Sequence, residues 1–332
     1  MLAALLCLAF VVGCGGGDGA ATTTADAGSM RLAARTEATL VLDFLPNAVH
    51  AGIYRAVAAG YYEDNNLDLR IVRPASTADT LKLIDAGKAD VGLADSVDVM
   101  QQIAMKRKAR AIMAVTQRPL GGLITRSADR LTPRRLAGRK VGLSGVPSDR
   151  VVLDTILRSA GLEPGEVKTV TIGFAGVQNL VSGSIDAFIG YYPADAAQVE
   201  AAGTPVQSFP FDQFGGPRYP GLVAFTAESR ISKRPDVLRA IVDATVRGYE
   251  DVIERPEQGI AALLGENREL DRGLTRAQLR AYLPLFTAKA PAFGFIRDRE
   301  VADLSAFLVR SGLIDAPVAA NHFATDFFLP DR

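Results

Sequence analysis

The chain has 332 residues, of which 48% are hydrophobic, and it carries 37 basic and 37 acidic side chains. This balance leaves no excess of positive charge for a nucleic-acid partner and no strong field to steer a charged substrate. The composition therefore predicts a globular body long enough for two lobes, and a ligand that is close to neutral overall.

The amino terminus has the pattern of a secretion signal. An apolar run from Leu2 to Val12 is too short to span a bilayer, which needs about 20 residues. Val11 to Cys14 resembles the bacterial lipobox, so residues 1–13 are predicted to be a cleaved signal peptide and Cys14 a lipidated first residue. The alternative is a cysteine that follows an apolar run by chance. Cleavage would also remove Cys7, which excludes a disulfide and a thiolate metal site in the mature chain.

The next stretch, residues 14–37, is rich in glycine, alanine and threonine, and it cannot bury enough apolar surface to fold. It is predicted to be a flexible tether. The predicted location is therefore outside the cytoplasm, with the chain held at the bacterial cell membrane only through the lipid on Cys14.

From residue 38 onwards, short β-branched runs alternate with helical patterns, which predicts parallel strands with helices on both faces of a sheet. The fold class is α/β. A first series contains predicted strands at 39–42, 67–72, 89–93 and 109–116, and helices at 49–61, 79–86 and 97–104. A second series contains strands at 141–143, 167–172, 186–189 and 205–209, and a helix capped by Ser148 that runs to about residue 160. The pattern then becomes wholly helical, with helices at 235–254, 256–264, 276–285 and 298–311.

Two similar series followed by helices indicate a chain that leaves a first lobe, builds a second and returns. Segments 120–125 and 221–226 are the predicted crossing strands, so that lobe 1 comprises 38–122 and 224–332 and lobe 2 comprises 123–223. Ligands bind outside the carboxyl ends of parallel strands, which places a site in a cleft that closes by a hinge motion. The alternative is a single-sheet α/β enzyme with a helical appendage.

The segment after the first strand carries the most specific motif. Residues 43–54 read D-F-L-P-N-A-V-H-A-G-I-Y, which resembles the D-W-x-P-N-x-x-H-x-G-x-Y signature of NMT1/THI5-like substrate-binding proteins. Further likenesses follow in the family's order at 60–62, Pro74, 85–92, 94–96, 117–120 and 142–149. The resemblance implies the two-lobed type II periplasmic-binding-protein fold, with two crossing strands and a helical C-terminal segment.

Four residues of this motif are candidate ligand contacts. Because proline cannot continue the ladder of a sheet, the motif begins where the chain leaves the carboxyl end of its strand. Asp43 is a candidate acceptor there, and Phe44, where the family has Trp, either stacks on a flat ring or belongs to the core. Asn47 either contacts the ligand or caps the next helix. His50 either reaches the ligand or bonds to the neighbouring lobe.

The second lobe offers further candidates. Ser144 and Ser148 flank a helix amino end, whose unpaired backbone amides are a site for a carbonyl, hydroxyl or phosphate oxygen. At the end of a later strand, Tyr191 or Tyr192 is predicted to stack on the ligand while Asp195 accepts its hydrogen bonds. Otherwise Asp195 is a surface residue near a helix start. The family resemblance also implies ligand contacts at Asp95, Ser96 and Gln117.

No cofactor, metal or catalysis is predicted. The glycines lack the spacing of a dinucleotide site, and no P-loop lysine is present. His50 and His322 are the two histidines of the chain, too few for a histidine-based metal cluster, and no mature thiol is available as a nucleophile. The family includes pyrimidine synthases that consume their own histidine and use a cysteine-rich iron motif, which is missing here.

The predicted function is that of a monomeric substrate-binding lipoprotein of an ABC importer, whose partners are a permease and an ATPase. The resemblance implies a small heteroaromatic ligand, namely a thiamine pyrimidine precursor such as hydroxymethylpyrimidine or its formylamino analogue. Phe44 in place of Trp leaves room for a larger ring such as riboflavin, which is the alternative ligand. A sensor that hands its ligand to a membrane receptor is the alternative role.

Overall fold

The computed structural model describes residues 30–76 and 78–330 of the chain. The predicted signal peptide, the predicted acylation site Cys14 and most of the predicted tether lie outside these ranges. Within the described part of the predicted tether, the N–H of Leu32 donates to the carbonyl of Asn65 over 3.1 Å and the first strand begins at Thr36. The tether was predicted to reach residue 37, so its end moves towards the amino terminus.

Strands and helices alternate through most of the described chain. Its ten strands are β1 Thr36–Val41, β2 Leu67–Val72, β3 Val91–Asp95, β4 Ala109–Ala114, β5 Gly121–Arg126, β6 Lys140–Leu143, β7 Lys168–Thr171, β8 Ala187–Tyr191, β9 Val206–Pro210 and β10 Leu222–Ala227. Its α-helices are α1 Ala51–Ala58, α2 Tyr61–Asp64, α3 Asp79–Asp85, α4 Ser96–Ala104, α5 Pro147–Ser159, α6 Gly176–Val181, α7 Tyr192–Ala201, α8 Glu228–Lys233, α9 Pro235–Glu254, α10 Pro256–Glu266, α11 Arg272–Thr287, α12 Asp298–Arg310 and α13 Ala320–Phe323. In the stretches that the structure describes, no helix combines the length and the apolar composition that a bilayer crossing needs.

The strands form two five-stranded sheets, one in each lobe. The first has the order β2-β1-β3-β10-β4 and the second the order β7-β6-β8-β5-β9. In each sheet four strands are parallel, and the fourth strand in the order, β10 or β5, runs antiparallel to both neighbours. The α/β class is therefore confirmed, with mixed rather than purely parallel sheets.

The chain passes twice between the lobes. The predicted crossing segments 120–125 and 221–226 are β5 and β10, but each pairs only within the sheet that the chain has just entered. The passages are the loops ahead of them. Arg118 from the first passage donates through Nε to Asp212 from the second over 2.8 Å, which ties the two passages together.

Two local expectations differ from the structure. The helix predicted at 49–61 is broken, because Gly60 has a φ of 74° in the left-handed region and α2 begins after it. Ser148 does not cap α5, since the N-cap is Val146 and Pro147 is the first helical residue. Ser148 lies one position further into the helix, where a carboxylate from the other lobe reaches it.

Close packing of α1 against α9 holds the amino-terminal motif in place. A Cβ on Gly248 would lie 2.1 Å from the carbonyl oxygen of Gly52, and one on Gly52 would lie 2.2 Å from the ring of Tyr249. The hydroxyl of Tyr249 donates to the carbonyl of Val49 over 2.8 Å. The glycine of the motif therefore lets the two helices touch, and this contact fixes the turn that enters the cleft.

Candidate functional site

A cavity of about 270 Å³ lies between the lobes, at the carboxyl ends of β1, β3, β6 and β8. Both lobes supply its walls, as the ligand rule for α/β sheets predicts. The candidate residues that line it are Asp43, Phe44, Asn47, Asp95, Ser144, Ser148, Tyr191 and Asp195. The remaining candidates His50, Ser96, Gln117 and Tyr192 are outside the lining.

Asp43 is held at the cavity wall by His50. The imidazole is fully buried, and its Nε2 lies 2.8 Å from Oδ1 of Asp43. Its Nδ1 accepts the backbone N–H of Asn47 over 3.2 Å, which assigns the proton of the neutral ring to Nε2, so that Nε2 donates to the carboxylate. Asn47 caps the 3-10 turn at 48–50 by accepting from the N–H of Val49, and this confirms its predicted capping role. His50 thus positions Asp43 rather than lining the cavity.

A carboxylate of lobe 1 reaches the amino end of α5 in lobe 2. Asp98 accepts the backbone N–H of Ser148 over 3.0 Å and its hydroxyl over 2.9 Å. Burial raises the pKa of Asp98 to about 7, although both hydrogen bonds from Ser148 act to lower it. Burial and then the charge of Asp98 raise the pKa of Asp95 well above its usual range. Asp95 itself caps α4 by accepting from the N–H of Val97 over 2.9 Å.

The oxygen-binding site predicted at Ser144 and Ser148 is filled by the protein's own carboxylates. Asp149 accepts the hydroxyl of Ser144 over 2.7 Å and the backbone N–H of Gly145 over 3.0 Å, while Asp98 takes the amide of Ser148. Burial raises the pKa of Asp149 to about 6. The backbone amides of Gly145 and Ser148 therefore bind two aspartates of the cavity wall and are not available to a ligand oxygen.

Asp195 lies in the first turn of α7 and faces the cavity, which excludes the alternative of a plain surface residue. Burial raises its pKa to about 7, and a hydrogen bond from the backbone N–H of Tyr191 acts in the opposite direction. Tyr191 lines the same wall, and burial followed by the charge of Asp95 raises its pKa well above the usual range. Asp195 therefore holds its proton to a higher pH than an exposed aspartate does, and Tyr191 keeps its hydroxyl proton at neutral pH.

Aromatic rings from both lobes meet at the cavity. Phe44 of lobe 1 packs edge-on against Phe174 of lobe 2, with 4.3 Å between the ring centroids and 66° between the planes. Both side chains are partly exposed and both line the cavity. The sequence identified Phe44 but not Phe174, which follows β7 at the carboxyl edge of the second sheet and could have been found by that position.

Three candidates outside the lining have structural partners. Ser96 donates its backbone N–H to the carbonyl of Gly221 over 2.9 Å and its hydroxyl to Pro220. The side-chain amide of Gln117 donates to the carbonyl of Phe295 over 2.8 Å. Tyr192 begins α7 on the side that faces Arg118 and Asp212. These contacts join segments within and between the lobes, and the ligand contacts expected of the three residues stay a prediction.

Sequence reasoning missed Asp98, Asp149 and the whole of one wall. Asp98 follows Asp95 by three residues and so shares its helix face, a signal that was available. The wall comes from α11 and its N-cap, and its lining residues are Asp271, Leu274, Thr275, Gln278 and Tyr282. Gln278 donates to the carbonyl of Ala194 at the start of α7 over 3.2 Å, which links this wall to the second lobe.

The charged residues of the lining are all acidic. Its six aspartates are Asp43, Asp95, Asp98, Asp149, Asp195 and Asp271, and no lysine, arginine or histidine is among the lining residues. Asp271 is exposed at the edge, whereas the others are buried or partly buried. No cluster of three or more potential metal ligands occurs in the described ranges 30–76 and 78–330. The cavity thus offers hydrogen-bond acceptors to a ligand that carries donors or positive charge.

Comparison with known proteins gives one matching family model. The model described as NMT1/THI5 like matches residues 47–259. The chain is 29% identical over 232 residues to the formylaminopyrimidine-binding protein of Halalkalibacterium halodurans, covering 69% of this chain and 70% of that protein. It is 24% identical to the 4-amino-5-hydroxymethyl-2-methylpyrimidine phosphate synthase of Legionella pneumophila, covering 90% and 93%.

Solved structures share the fold. The ligand-binding component of an ABC-type import system of Staphylococcus aureus superposes with a TM-score of 0.71 at 12% identity, covering 90% of this chain and 99% of that chain. This likeness agrees with the two sheets and two passages described above, so the fold is the type II periplasmic-binding-protein fold that the motif implied. With the family model matching well over half of its length, the chain belongs to the NMT1/THI5-like family.

Proposed function

We propose that the chain is the extracytoplasmic, lipid-anchored ligand-binding component of an ABC importer, and that it captures an amino-substituted pyrimidine of the thiamine-precursor type. The observation that carries this proposal is the cavity lined by six aspartates and no cationic side chain. Its partners are then the ligand itself, a permease and an ATPase.

The lining selects strongly by charge. An anionic ligand would meet several buried carboxylates with no lysine or arginine to balance its charge, which costs several kcal/mol. Burial also keeps part of these groups protonated, as the raised pKa values of Asp98 and Asp195, each about 7, indicate. A weakly basic ligand with several N–H donors relieves this repulsion. Sulfonates, nitrate and phosphate esters are anions and would increase this repulsion.

An aminopyrimidine complements a carboxyl group in both protonation states. The exocyclic amino group donates to one carboxyl oxygen, and the neighbouring ring nitrogen shares a proton with the other. Because the pKa of Asp195 is raised to about 7 by burial, the proton can reside on either partner near neutral pH. The pair keeps two hydrogen bonds wherever the proton resides, and charge-assisted bonds of this kind are about twice as strong as neutral ones.

The size of the cavity favours a single ring over a flavin. Pockets for drug-sized ligands have volumes of roughly 300 to 1,000 Å³, and the cavity here has about 270 Å³. A flavin has three fused rings and a ribityl chain, and its ring edge presents mainly acceptors, which the aspartates do not complement. Riboflavin therefore remains the weaker alternative.

A binding role without catalysis is also part of the proposal, although several relatives are named as pyrimidine phosphate synthases. The support is the environment of His50, the histidine nearest the cavity. Its ring is fully buried, and both nitrogens are engaged by Asp43 and Asn47. A histidine that is to be consumed in a reaction has to be reachable by its partner, and this one lies behind the cavity wall.

Ligand binding is expected to stabilise and compact the protein. At a ligand concentration a hundredfold above Kd, the free energy of unfolding should rise by about 2.7 kcal/mol. Melting curves with formylaminopyrimidine, hydroxymethylpyrimidine, thiamine, riboflavin and an alkanesulfonate test this directly, and X-ray scattering of the tightest complex should show a smaller radius of gyration. A melting shift with the sulfonate or riboflavin but not with the pyrimidines would contradict the proposal.

The lipid anchor is tested separately. If Cys14 is acylated, the full-length parent should sediment with membranes, whereas Cys14→Ser should accumulate as an unprocessed precursor or as protein free of membranes. Metabolic labelling with an alkyne fatty acid should mark the parent only. Equal membrane association of the two proteins would contradict lipidation.

A further inference from the structure

Helix α11 places one tyrosine in the wall of the cavity. Tyr282 is fully buried and lines the cavity. Its ring lies nearly parallel to that of Phe286, with 6.2 Å between the centroids and 7° between the planes. The ring is thus held by packing in the helix that supplies this wall.

The hydroxyl of Tyr282 has no hydrogen-bond partner among the described residues. Other buried tyrosines of the chain are satisfied. The hydroxyl of Tyr249 donates to the carbonyl of Val49 over 2.8 Å, that of Tyr62 lies 2.9 Å from the hydroxyl of Thr245, and that of Tyr219 donates to Asp95 over 3.3 Å. An unpaired buried hydroxyl destabilises a folded chain, so one that belongs to a residue in the wall of a ligand cavity points to a bound partner.

Tyr282 is a hydroxyl donor in the cavity wall that no other group of the protein uses. Burial, followed by the negative charges of Asp195 and Asp43, raises its pKa well above the usual range, so the hydroxyl keeps its proton. The hydroxyls of Ser144 and Ser148 already donate to Asp149 and Asp98. The aspartates can satisfy the N–H groups of a ligand, but a carbonyl oxygen on that ligand needs a donor.

We propose that the Tyr282 hydroxyl donates a hydrogen bond to a carbonyl oxygen of the bound pyrimidine, and that this contact selects the formylated precursor over its deformylated amine. The proposal rests on the pyrimidine-binding function above. The amine lacks a carbonyl, and once protonated it has no lone pair to accept from Tyr282. The aspartates bind the aminopyrimidine ring that both compounds share, and Tyr282 of α11 binds the formyl group that only one of them carries.

The test is Tyr282→Phe, titrated by calorimetry with formylaminopyrimidine and with the deformylated amine. The variant should bind the formylated compound about tenfold more weakly than the parent, which is the loss of one buried hydrogen bond, and should bind the amine within about twofold. Equal losses for both compounds, or no loss for either, would overturn the assignment to the carbonyl. If the parent protein binds neither pyrimidine, the result contradicts the proposed pyrimidine-binding function itself and not only the role of Tyr282.

Melting of the unliganded protein gives a readout that does not depend on the ligand. Because the hydroxyl has no partner in the described protein, Tyr282→Phe should melt at or above the Tm of the parent. The matched control is Tyr62→Phe, which removes a paired hydroxyl away from the cavity and should lower Tm while leaving both affinities unchanged. A Tm of Tyr282→Phe that falls as far as that of Tyr62→Phe would show a structural role and overturn the inference.

Discussion

Replacing Asp195 with alanine is expected to weaken binding of an aminopyrimidine by at least about 3 kcal/mol, which is on the order of a 150-fold rise in Kd. The carboxyl group faces the cavity from the first turn of α7. Its removal would leave two ligand donors buried without acceptors, and each such loss costs about 1 to 3 kcal/mol. Calorimetric titration at pH 7 measures the effect.

The pH dependence of affinity identifies the shared proton. Above the pKa of both the ligand and Asp195, neither free partner holds the proton, so binding takes one up and Kd should rise about tenfold per pH unit. Below both pKa values the free partners hold two protons, binding releases one, and Kd should fall as pH rises. The optimum should therefore lie between the pKa of the ligand and that of Asp195, which burial raises to about 7.

Asp195→Asn removes the titratable proton of the side chain but keeps its ability to form two hydrogen bonds. An asparagine amide can accept from the exocyclic amino group and donate to the unprotonated ring nitrogen, so the variant should bind within about tenfold of the parent. Its affinity should not decline at high pH. Glu200→Ala, an exposed change on the same helix, is the matched control and should leave Kd unaltered. If Asp195→Ala binds within about threefold of the parent, under about 0.7 kcal/mol, then Asp43 or Asp95 becomes the better candidate.

Much of the fold was predictable because its signals are local. Strand 67–72 and helix 235–254 were predicted with the bounds that the structure has. Asn47 was a candidate cap and is one, since capping depends on a side chain and a backbone amide two residues away. The cleft at the carboxyl ends of parallel strands follows from topology, so the acidic residues after β1 and β8 could be assigned to it.

The electrostatics of the cavity could not be predicted in this way. The amides between Ser144 and Ser148 look free in the sequence, and only the tertiary structure brings Asp98 from 50 residues away to accept one of them. The wall formed by α11 was missed for a similar reason. A helical pattern predicts which face of a helix is apolar. It does not predict that this helix packs against a cleft residue, Ala194, that lies 84 residues earlier than Gln278. A balanced total charge likewise conceals six aspartates around one cavity.

His50→Ala is expected to lower the free energy of unfolding by about 3 kcal/mol. The substitution removes a fully buried ring and the Nε2 donor that lies 2.8 Å from Asp43, whose carboxylate is itself only 8% exposed. It also strands the backbone N–H of Asn47. Leaving a buried acceptor or donor without its partner costs about 1 to 3 kcal/mol, and the lost packing of the buried ring places the expected total at about 3 kcal/mol. Urea unfolding of the unliganded protein measures it.

Two further substitutions at His50 decide between positioning and direct ligand contact. The amide nitrogen of glutamine reaches about as far as Nε2, so His50→Gln should keep the bond to Asp43. Asparagine corresponds to the nearer Nδ1, so His50→Asn should retain only the acceptor for Asn47. If His50 acts through Asp43, His50→Gln should recover most of both stability and pyrimidine affinity, and His50→Asn should recover little of the affinity. A glutamine variant that regains stability yet still binds the pyrimidine as weakly as His50→Ala would instead show that the imidazole itself contacts the ligand.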